Sequence, residues 1–307
     1  MTLTLALTGA TGFVGGHTLA EALRRGHRVR ALARRPQPPR EGVQWIAGSL
    51  TDAPALAELV HGAEVLVHVA GVTNARTPAG FDEGNPIGTA FLRRAAGPLP
   101  AVIVSSLAAR APWLSRYGAS KLAAEGVARG FAGPVTLIRP PAVYGPGDRE
   151  FLPLFRLARF GLLPVPARAR AAMIYGPDLA EALVALAEDM AGPKRAAGQT
   201  FEIDDGAGGH PQPAIARAIA QATGRSARPV EVPAAVLKAA AALDTSLARL
   251  KGDLPGLSFD RARYLAHPDW TADSAPLRAL GIWQPATSLH DGLAATAIWY
   301  RETGLLP

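Results

Sequence analysis

A tyrosine and a lysine stand four residues apart in the segment RYGASK, within a predicted helix over 115–131. This spacing places Tyr117 and Lys121 on one helix face. A predicted strand ending at Ser105-Ser106 comes directly before that helix. A nearby ammonium lowers the pKa of a phenol from its usual value near 10. The tyrosine could then exchange a proton with a substrate oxygen that a serine hydroxyl holds.

Three glycines follow the first predicted strand, in the segment TGATGFVGG at 8–16. Gly9 allows a tight turn, Gly12 lets the backbone approach a pyrophosphate, and Gly15 lets the next helix pack closely. The free amides and positive dipole end of that helix would bind the phosphates. The turn therefore predicts a dinucleotide site. With a nicotinamide present, the proton exchange at Tyr117 would accompany hydride transfer.

Two arginines, Arg34 and Arg35, close the second predicted strand. A site for NAD places Asp or Glu there to bind the ribose 2′-hydroxyl, whereas a 2′-phosphate favours arginine. We therefore predict NADP(H) as the cofactor, with NAD(H) as the alternative.

The first half of the chain alternates short apolar strands with helices, which predicts a right-handed parallel sheet with helices on both faces. The carboxyl ends of such strands meet at one edge, so the glycine turn and Ser105-Ser106 would face the same crevice. The predicted strands cover 3–7, 28–33, 43–47, 65–70, 101–104 and 135–138, and the predicted helices cover 53–60, 115–131 and a segment reaching 96.

The regular alternation weakens after Gly147. We expect a Rossmann-like dinucleotide domain over 1–150 and a smaller, mostly helical substrate lobe over 151–307, with segments near 171–205 returning to the first domain. The predicted elements of this half are helices at 151–159, 177–190, 212–223, 234–250 and 289–303, and short strands near 171–175 and 199–203.

The composition excludes several kinds of site. The 307 residues include no cysteine, which rules out disulfides, thiolate catalysis and cysteine-based metal centres. The seven histidines are scattered, so we expect no metal. The net charge of +7 comes from dispersed arginines without a basic stripe, so nucleic acid is not an expected partner.

The expected setting is the cytoplasm. The chain enters its first strand from Met1 without a basic and apolar leader, and cysteine-free composition suits a reducing compartment. No run approaches the roughly 18 uninterrupted apolar residues that a membrane span needs. We expect a small-molecule substrate and leave a homodimer open.

The motifs together resemble the extended short-chain dehydrogenases/reductases of the NAD(P)-dependent epimerase/dehydratase family. This resemblance implies that Ser106 is the active serine, with Ser105 as fallback, that Tyr117 is the acid/base, and that Lys121 binds the nicotinamide ribose and tunes Tyr117. It also implies cofactor contacts from Thr11, Phe13, Val14, Ala70 and Gly71, beside those of Gly9, Gly12, Gly15, Arg34 and Arg35. The matching segments are TGATGFVGG at 8–16, VLVHVAG at 65–71, NPIGT at 85–89, IVSSLAA at 103–109, YGASK at 117–121, IRPPAVYGPGD at 138–148, HPDW at 267–270 and WYRETG at 299–304.

Three positions depart from the family's pattern. Gly48-Ser49-Leu50 replaces a Gly-Asp-Leu whose Asp lies at the adenine, so this contact is weaker or comes from Asp52. Pro86 follows Asn85, which makes Asn85 either a structural kink or a member of a proton relay. Leu107-Ala108 replaces the Asp-Glu pair that dehydratase relatives use, so we expect no dehydration.

Three functions fit this set of residues. The first is an NAD(P)-dependent oxidoreductase that interconverts a secondary alcohol and a carbonyl. The second is a nucleotide-sugar 4-epimerase using the same residues, and the third is a non-catalytic NADP(H)-binding sensor or assembly factor. The segments 142–147 and 155–166 are largely apolar. They could cover a lipophilic or small carbonyl substrate, or they could simply belong to the core.

Overall fold

The computed structural model describes residues 2–75, 77–251 and 258–307. In the first half, strands and helices alternate almost as the apolar pattern predicts. The second, third and fifth strands coincide with their predicted bounds. The elements of this half are β1 (Thr4–Thr8), α1 (Phe13–Arg24), β2 (Arg28–Ala33), β3 (Val43–Ala47), α2 (Ala53–Val60), β4 (Val65–His68), α3 (Pro78–Asp82), α4 (Gly88–Ala96), β5 (Ala101–Val104), α5 (Arg116–Ala128) and β6 (Val135–Arg139).

The second half has shorter strands and more helix. The predicted helices at 151–159, 177–190, 212–223, 234–250 and 289–303 all form, and no bound is shifted by more than one residue. The elements of this half are β7 (Ala142–Tyr144), α6 (Leu152–Ala158), β8 (Leu162–Pro166), β9 (Arg170–Ala171), β10 (Met173–Tyr175), α7 (Gly176–Ala191), β11 (Thr200–Glu202), β12 (His210–Pro211), α8 (Gln212–Ala222), β13 (Arg228–Val232), α9 (Ala234–Lys251), α10 (Phe259–Leu265), β14 (Asp269–Trp270), α11 (Ala275–Arg278) and α12 (Leu289–Glu302).

Seven parallel strands form the central sheet in the order β11-β6-β5-β4-β1-β2-β3. From β1 the chain builds outward through β2 and β3, then returns to β4 on the other side of β1. The topological switch point therefore lies between β1 and β4, beside the glycine turn. Ligands of open parallel sheets bind at this position. The predicted Rossmann-like α/β fold is confirmed.

Helices cover both faces of the sheet, and a third cluster of buried residues lies mostly in the second half of the chain. One face packs against a cluster that includes Leu19 of α1 and Leu183 of α7. The other face packs against Leu56 of α2 and Leu92 of α4. Phe155 is buried in the third cluster, which also includes Leu107 and Tyr144. The strand β11 joins the central sheet beside β6, so the chain crosses back from the lobe before α8.

The segment over 161–166 contains a strand that sequence analysis did not predict. β8 pairs in parallel with β13 in a small two-stranded sheet, with Leu162 opposite Arg228 and Pro164 opposite Val230. Proline cannot donate a ladder hydrogen bond and is confined to sheet edges, so its presence at 164 and 166 weakened the strand signal. Within the described residues, no helix is long and apolar enough to cross a bilayer.

Candidate active site

The glycine turn has two glycines that the protein's own packing requires and one that it does not. A Cβ at Gly9, where φ is +81°, would lie 2.7 Å from Ala70 N. A Cβ at Gly15 would lie 1.9 Å from Gly9 O. A Cβ at Gly12 would meet only Gly9 O, at 3.4 Å, and its φ of −92° suits any residue. The absence of a Cβ at Gly12 therefore leaves open space, where a ligand could contact the protein backbone.

The first turn of α1 opens toward that space. No side chain caps the helix and no acidic residue lies in its first turn. Thr11 and Gly12 are exposed, and the first amides of a helix have no partner within it. The side chain of Phe13 packs inward, with its ring 5.4 Å from that of His17. These features fit an anion such as the pyrophosphate of a dinucleotide.

Arg34 and Arg35 lie at the carboxyl end of β2 and are exposed. The strand β2 pairs with β1, and Leu32 stands opposite Thr8, the last residue before the glycine turn. Within the described residues neither arginine forms an ion pair, so both guanidinium groups are available to a phosphate.

The side chains of the two serines after β5 have different hydrogen-bond partners. Ser105 Oγ donates a hydrogen bond of 2.6 Å to Glu125 Oε1 inside the domain. Ser106 is extended, with φ −158° and ψ 150°, and its hydroxyl accepts from Ala108 N at 3.2 Å. The Ser106 hydroxyl also interacts with the Tyr117 phenol. Successive extended residues alternate sides, which separates the two hydroxyls.

Tyr117 lies in the first turn of α5 and is half-buried. Burial raises the pKa of its phenol, and the hydrogen bond with Ser106 lowers the pKa by less. The effect of the Lys121 ammonium on the pKa of Tyr117, which the spacing predicts, is not among the causes of this shift. Lys121 Nζ instead donates a hydrogen bond of 2.8 Å to Val104 O, at the end of β5.

Lys121 is buried, and burial lowers the pKa of its ammonium to about 8, although the Glu125 carboxylate raises it. A Cβ at Gly71 would lie 3.5 Å from Lys121 Nζ, so the segment after β4 passes directly over the amine. Behind the amine is an internal cavity of about 10 Å³. Its polar lining comes from His68, Asn85, Thr89, Ser105, Lys121 and Glu125.

His68 lines this cavity as a neutral ring. Its burial, followed by the Lys121 charge, lowers the pKa of the imidazole to about 3. Its Nδ1 lies 2.7 Å from Thr8 Oγ1, and its Nε2 lies 3.2 Å from Thr89 Oγ1. Thr8 Oγ1 also accepts a hydrogen bond from Ala70 N at 3.2 Å. This network joins β1, β4 and α4.

Asn85 is part of a π-helical turn over Glu83–Ile87 that contains Pro86. Proline removes an intrahelical donor, which explains the wide turn. The amide of Asn85 makes three hydrogen bonds: Oδ1 accepts from Val72 N at 2.9 Å, and Nδ2 donates to Val72 O at 3.0 Å and to Ser120 Oγ at 2.8 Å. The kink, one of the two alternatives for Asn85, is present, and the side chain holds the loop against α5; the proton relay stays a prediction.

The alternative adenine contact and the apolar segments that could have covered a substrate have structural roles. Asp52 Oδ1 accepts from Ala55 N at 3.1 Å and caps α2. Tyr144 and Phe155, in the apolar segments that could have covered a substrate, are 0% and 1% exposed, so they belong to the third cluster of buried residues. Among the described residues, no group of three or more His, Asp or Glu side chains could hold a metal ion.

Sequence analysis missed two aromatic residues beside Tyr117. The ring of Phe81 lies 6.5 Å from that of Tyr117. Tyr264 lies on α10, which packs on the 3₁₀ turn before α5, and Tyr117 contributes, after burial, to raising the pKa of the Tyr264 phenol. The motif HPDW gave a partial signal, because its Trp270 stacks on Tyr264 at 4.3 Å.

Comparisons with known proteins show the family of this chain. A family model described as NAD(P)H-binding matches residues 9–150. The ceramide reductase of Caulobacter vibrioides is 39% identical, over 99% of this chain and 96% of its own length. This chain belongs to the extended short-chain dehydrogenase/reductase family. It is an NAD(P)-dependent enzyme of that family, so the non-catalytic alternative is set aside.

Other relatives differ in chemistry. A ketoreductase of Stigmatella aurantiaca, which acts on a farnesyl dihydroquinoline oxide, is 31% identical over 48% of this chain and 52% of its own. The solved structure of MoeE5 with UDP-glucuronic acid and NAD has a TM-score of 0.74 at 22% identity, covering 98% of this chain and 99% of that one. The UDP-N-acetylglucosamine 4-epimerase of Bacillus cereus has a TM-score of 0.72 at 18% identity, covering 98% and 97%. At these identities the two structures show the fold alone.

Proposed function

We propose that this enzyme reduces the ketone of a lipid-like substrate with NADPH, using Ser106, Tyr117 and Lys121. The observation that carries the proposal is the arrangement of the Tyr117 phenol beside the Ser106 hydroxyl, one helical turn before Lys121 on α5; burial also raises the pKa of that phenol. A phenol that keeps its proton at neutral pH is a proton donor, which is the role needed when a ketone becomes an alcohol. Oxidation, or the transient oxidation of a 4-epimerase, needs the phenolate first.

Different residues would hold the substrate and the cofactor, transfer the proton and bind the phosphates. Ser106 would hold the carbonyl oxygen, and Tyr117 would give its phenolic proton to that oxygen as negative charge develops. The Lys121 ammonium, held by Val104 O, would offer its remaining protons to the cofactor ribose. The turn amides around Gly12 would bind the pyrophosphate, with Thr11, Phe13, Val14, Ala70 and Gly71 around the cofactor. The bound nicotinamide supplies the hydride.

We infer NADPH rather than NADH from the two unpaired guanidinium groups at the end of β2. A ribose 2′-phosphate bound there would face Arg34 and Arg35. No Asp or Glu lies among residues 34–40 to repel it.

The proposed substrate class rests on the relatives and on the aromatic residues at the site. Two relatives that match this chain are reductases of a ceramide and of a farnesyl compound by name. Phe81 and Tyr264 would give the surroundings of Tyr117 the apolar character that an acyl or isoprenoid chain needs. A cytoplasmic location and a homodimer stay predictions.

The test is turnover by the purified enzyme. A ketone analogue of ceramide in detergent, incubated with NADPH, should yield the alcohol, and NADPH absorbance should fall in proportion. Tyr117→Phe should retain NADPH binding and lose more than about 10²-fold in rate, the usual contribution of a positioned proton donor. If the enzyme instead interconverts UDP-sugars with no added cofactor, the epimerase alternative is correct.

A further inference from the structure

Tyr264 has a hydroxyl group that the rest of the protein does not use. Its side chain is half-buried, and within the described residues its hydroxyl makes no hydrogen bond. The fully buried side-chain atoms without a partner in this part of the chain are the hydroxyls of Tyr144 and Thr245. The Tyr264 hydroxyl is not among them, so it is open to solvent and to a ligand.

Trp270 fixes the orientation of the Tyr264 ring. The two rings stack with their centroids 4.3 Å apart and an angle of 28° between their planes. The indole Nε1 of Trp270 also donates a hydrogen bond of 2.8 Å to Tyr264 O. Because Trp270 is itself buried, it is a rigid support for the phenol. The hydroxyl is the polar group of Tyr264 that remains for a ligand.

The helix α10 holds Tyr264 at the same end of α5 as Tyr117. It packs on the 3₁₀ turn Pro112–Leu114, which directly precedes α5. Asp260 of α10 accepts from Arg116 N at 3.0 Å, one residue before Tyr117. Tyr117 in turn contributes, after burial, to the raised pKa of the Tyr264 phenol. Two phenols from distant parts of the chain therefore meet at the carboxyl edge of the sheet, where ligands of this fold bind.

The charges beside Tyr264 favour a neutral ligand group. Arg110 acts on the Tyr264 phenol, but its guanidinium is already engaged by the protein. Its Nη1 donates to Thr271 O at 2.9 Å, and its Nη2 donates to Asp269 O at 3.1 Å. The Glu202 carboxylate lies 3.4 Å from Nη1 and offsets the positive charge. A diphosphate would lack a free cation here, whereas a phenol that keeps its proton suits a neutral hydroxyl.

We propose that Tyr264 binds a hydroxyl group that the substrate carries on the carbon next to its ketone, while Ser106 and Tyr117 hold the ketone oxygen. This inference rests on the proposed reduction of a lipid-like ketone and narrows its substrate to a long-chain hydroxy ketone. Tyr264 selects the substrate and transfers no proton. A ketone without the hydroxyl would leave the Tyr264 donor without its partner in the closed complex.

The experiment combines two ligands with two substitutions. The ligands are a long-chain α-hydroxy ketone and the same ketone without the hydroxyl, both in detergent. Tyr264→Phe removes the hydroxyl and keeps the ring on Trp270. Tyr144→Phe is the matched control, because the Tyr144 hydroxyl also lacks a hydrogen bond but the residue is 0% exposed. Calorimetric titration of the enzyme saturated with NADP⁺ measures the Kd of each ligand, and turnover with NADPH gives KM and kcat.

The wild type and Tyr144→Phe should bind the hydroxy ketone about tenfold more tightly than the plain ketone, the usual contribution of one hydrogen bond. Tyr264→Phe should bind both ligands with the Kd of the plain ketone. It should also raise KM for the hydroxy ketone at unchanged kcat, which neither misfolding nor a lost proton donor would do.

Equal Kd values for the two ligands in the wild type would overturn the inference, as would a preference that survives in Tyr264→Phe. A large loss of kcat in Tyr264→Phe would overturn it as well, since it would assign proton transfer to this phenol. Reduction of both ketones without any preference in binding overturns the role of Tyr264 alone. A preference that Tyr264→Phe abolishes, in an enzyme that reduces neither ketone, overturns the proposed function alone.

Discussion

Ser105 donates a hydrogen bond of 2.6 Å to Glu125, and this contact turns the first serine of the pair toward the protein interior. The two serines should therefore respond differently to substitution. Ser106→Ala removes the hydroxyl beside Tyr117 and should reduce kcat by about 10²-fold, since a donor aimed at developing charge is lost. Ser105→Ala leaves the buried Glu125 one donor short. It should cost about 1–3 kcal/mol of stability with little change in kcat.

Steady-state turnover and urea unfolding separate the two effects. Equal kcat losses from both substitutions would show that the serine roles are not divided in this way.

Glu125 itself should set the alkaline limit of the reaction. Its carboxylate also binds Arg139, at 2.8 and 2.7 Å, and it raises the pKa of Lys121 against the effect of burial. Glu125→Gln removes that charge, so the pKa of Lys121 should fall further below about 8. If the reaction needs the ammonium, the fall in kcat at high pH should begin at lower pH in the variant.

A pH profile of kcat for the wild type, Glu125→Gln and the more exposed control Glu188→Gln checks this. A purely structural role for Glu125 would lower kcat at every pH and leave unchanged the pH at which kcat begins to fall.

Burial of Lys121 should also be visible in the pH dependence of stability. The folded pKa of about 8 is below the ordinary value of 10.5, so the unfolded chain binds more protons between these pH values. The charged amine therefore costs stability below about pH 8, and this cost disappears as pH rises toward 10.5. Relative to wild type, Lys121→Met should gain stability at pH 7 by up to roughly 3 kcal/mol, less the lost bond to Val104 O.

Thermal unfolding of both proteins from pH 7 to 10 measures this difference. The advantage of Lys121→Met should shrink as the pH rises, and a constant difference would contradict a depressed folded-state pKa.

The residues of the candidate site were easier to predict from the sequence than the elements of the second half, because they lie close together in the chain. Tyr117 and Lys121 share a helix face by spacing alone, and the glycine turn is local in sequence. The neighbours of Tyr117 that come from afar were not predictable, because Tyr264 reaches the site only through the packing of α10 on the turn before α5. Single short strands such as β8 also depend on a distant partner, β13, and their proline content hides them.

The electrostatics were also beyond the sequence. Four-residue spacing suggests that Lys121 acts on Tyr117, but it cannot show that a carbonyl, Val104 O, receives the ammonium. The direction of the Tyr117 pKa depends on how much of the phenol is buried, which only the folded chain defines.

Gly12 should matter for the cofactor and not for folding. Its added Cβ would meet only Gly9 O at 3.4 Å, so Gly12→Ala should fold normally but weaken NADPH binding by about tenfold or more, because the methyl group occupies the space for the pyrophosphate. Gly16→Ala is the matched control, since its Cβ would meet Ala10 O at 3.7 Å. Fluorescence titration with NADPH and thermal unfolding measure both properties. Tight NADPH binding by Gly12→Ala would show that the pyrophosphate does not bind at this turn.

The preference for NADPH should depend on the two guanidinium groups after β2. Arg34→Ala/Arg35→Ala should raise the Kd for NADPH by about tenfold or more, since charge-assisted hydrogen bonds to a phosphate are lost. The Kd for NADH should barely change, because the two cofactors differ only in the 2′-phosphate. Arg40→Ala, another exposed arginine of the same connection, serves as the control. Parallel titrations with both nucleotides decide the matter: equal losses for NADPH and NADH would assign the arginines to the shared part of the cofactor, and a wild-type preference for NADH would overturn the assignment.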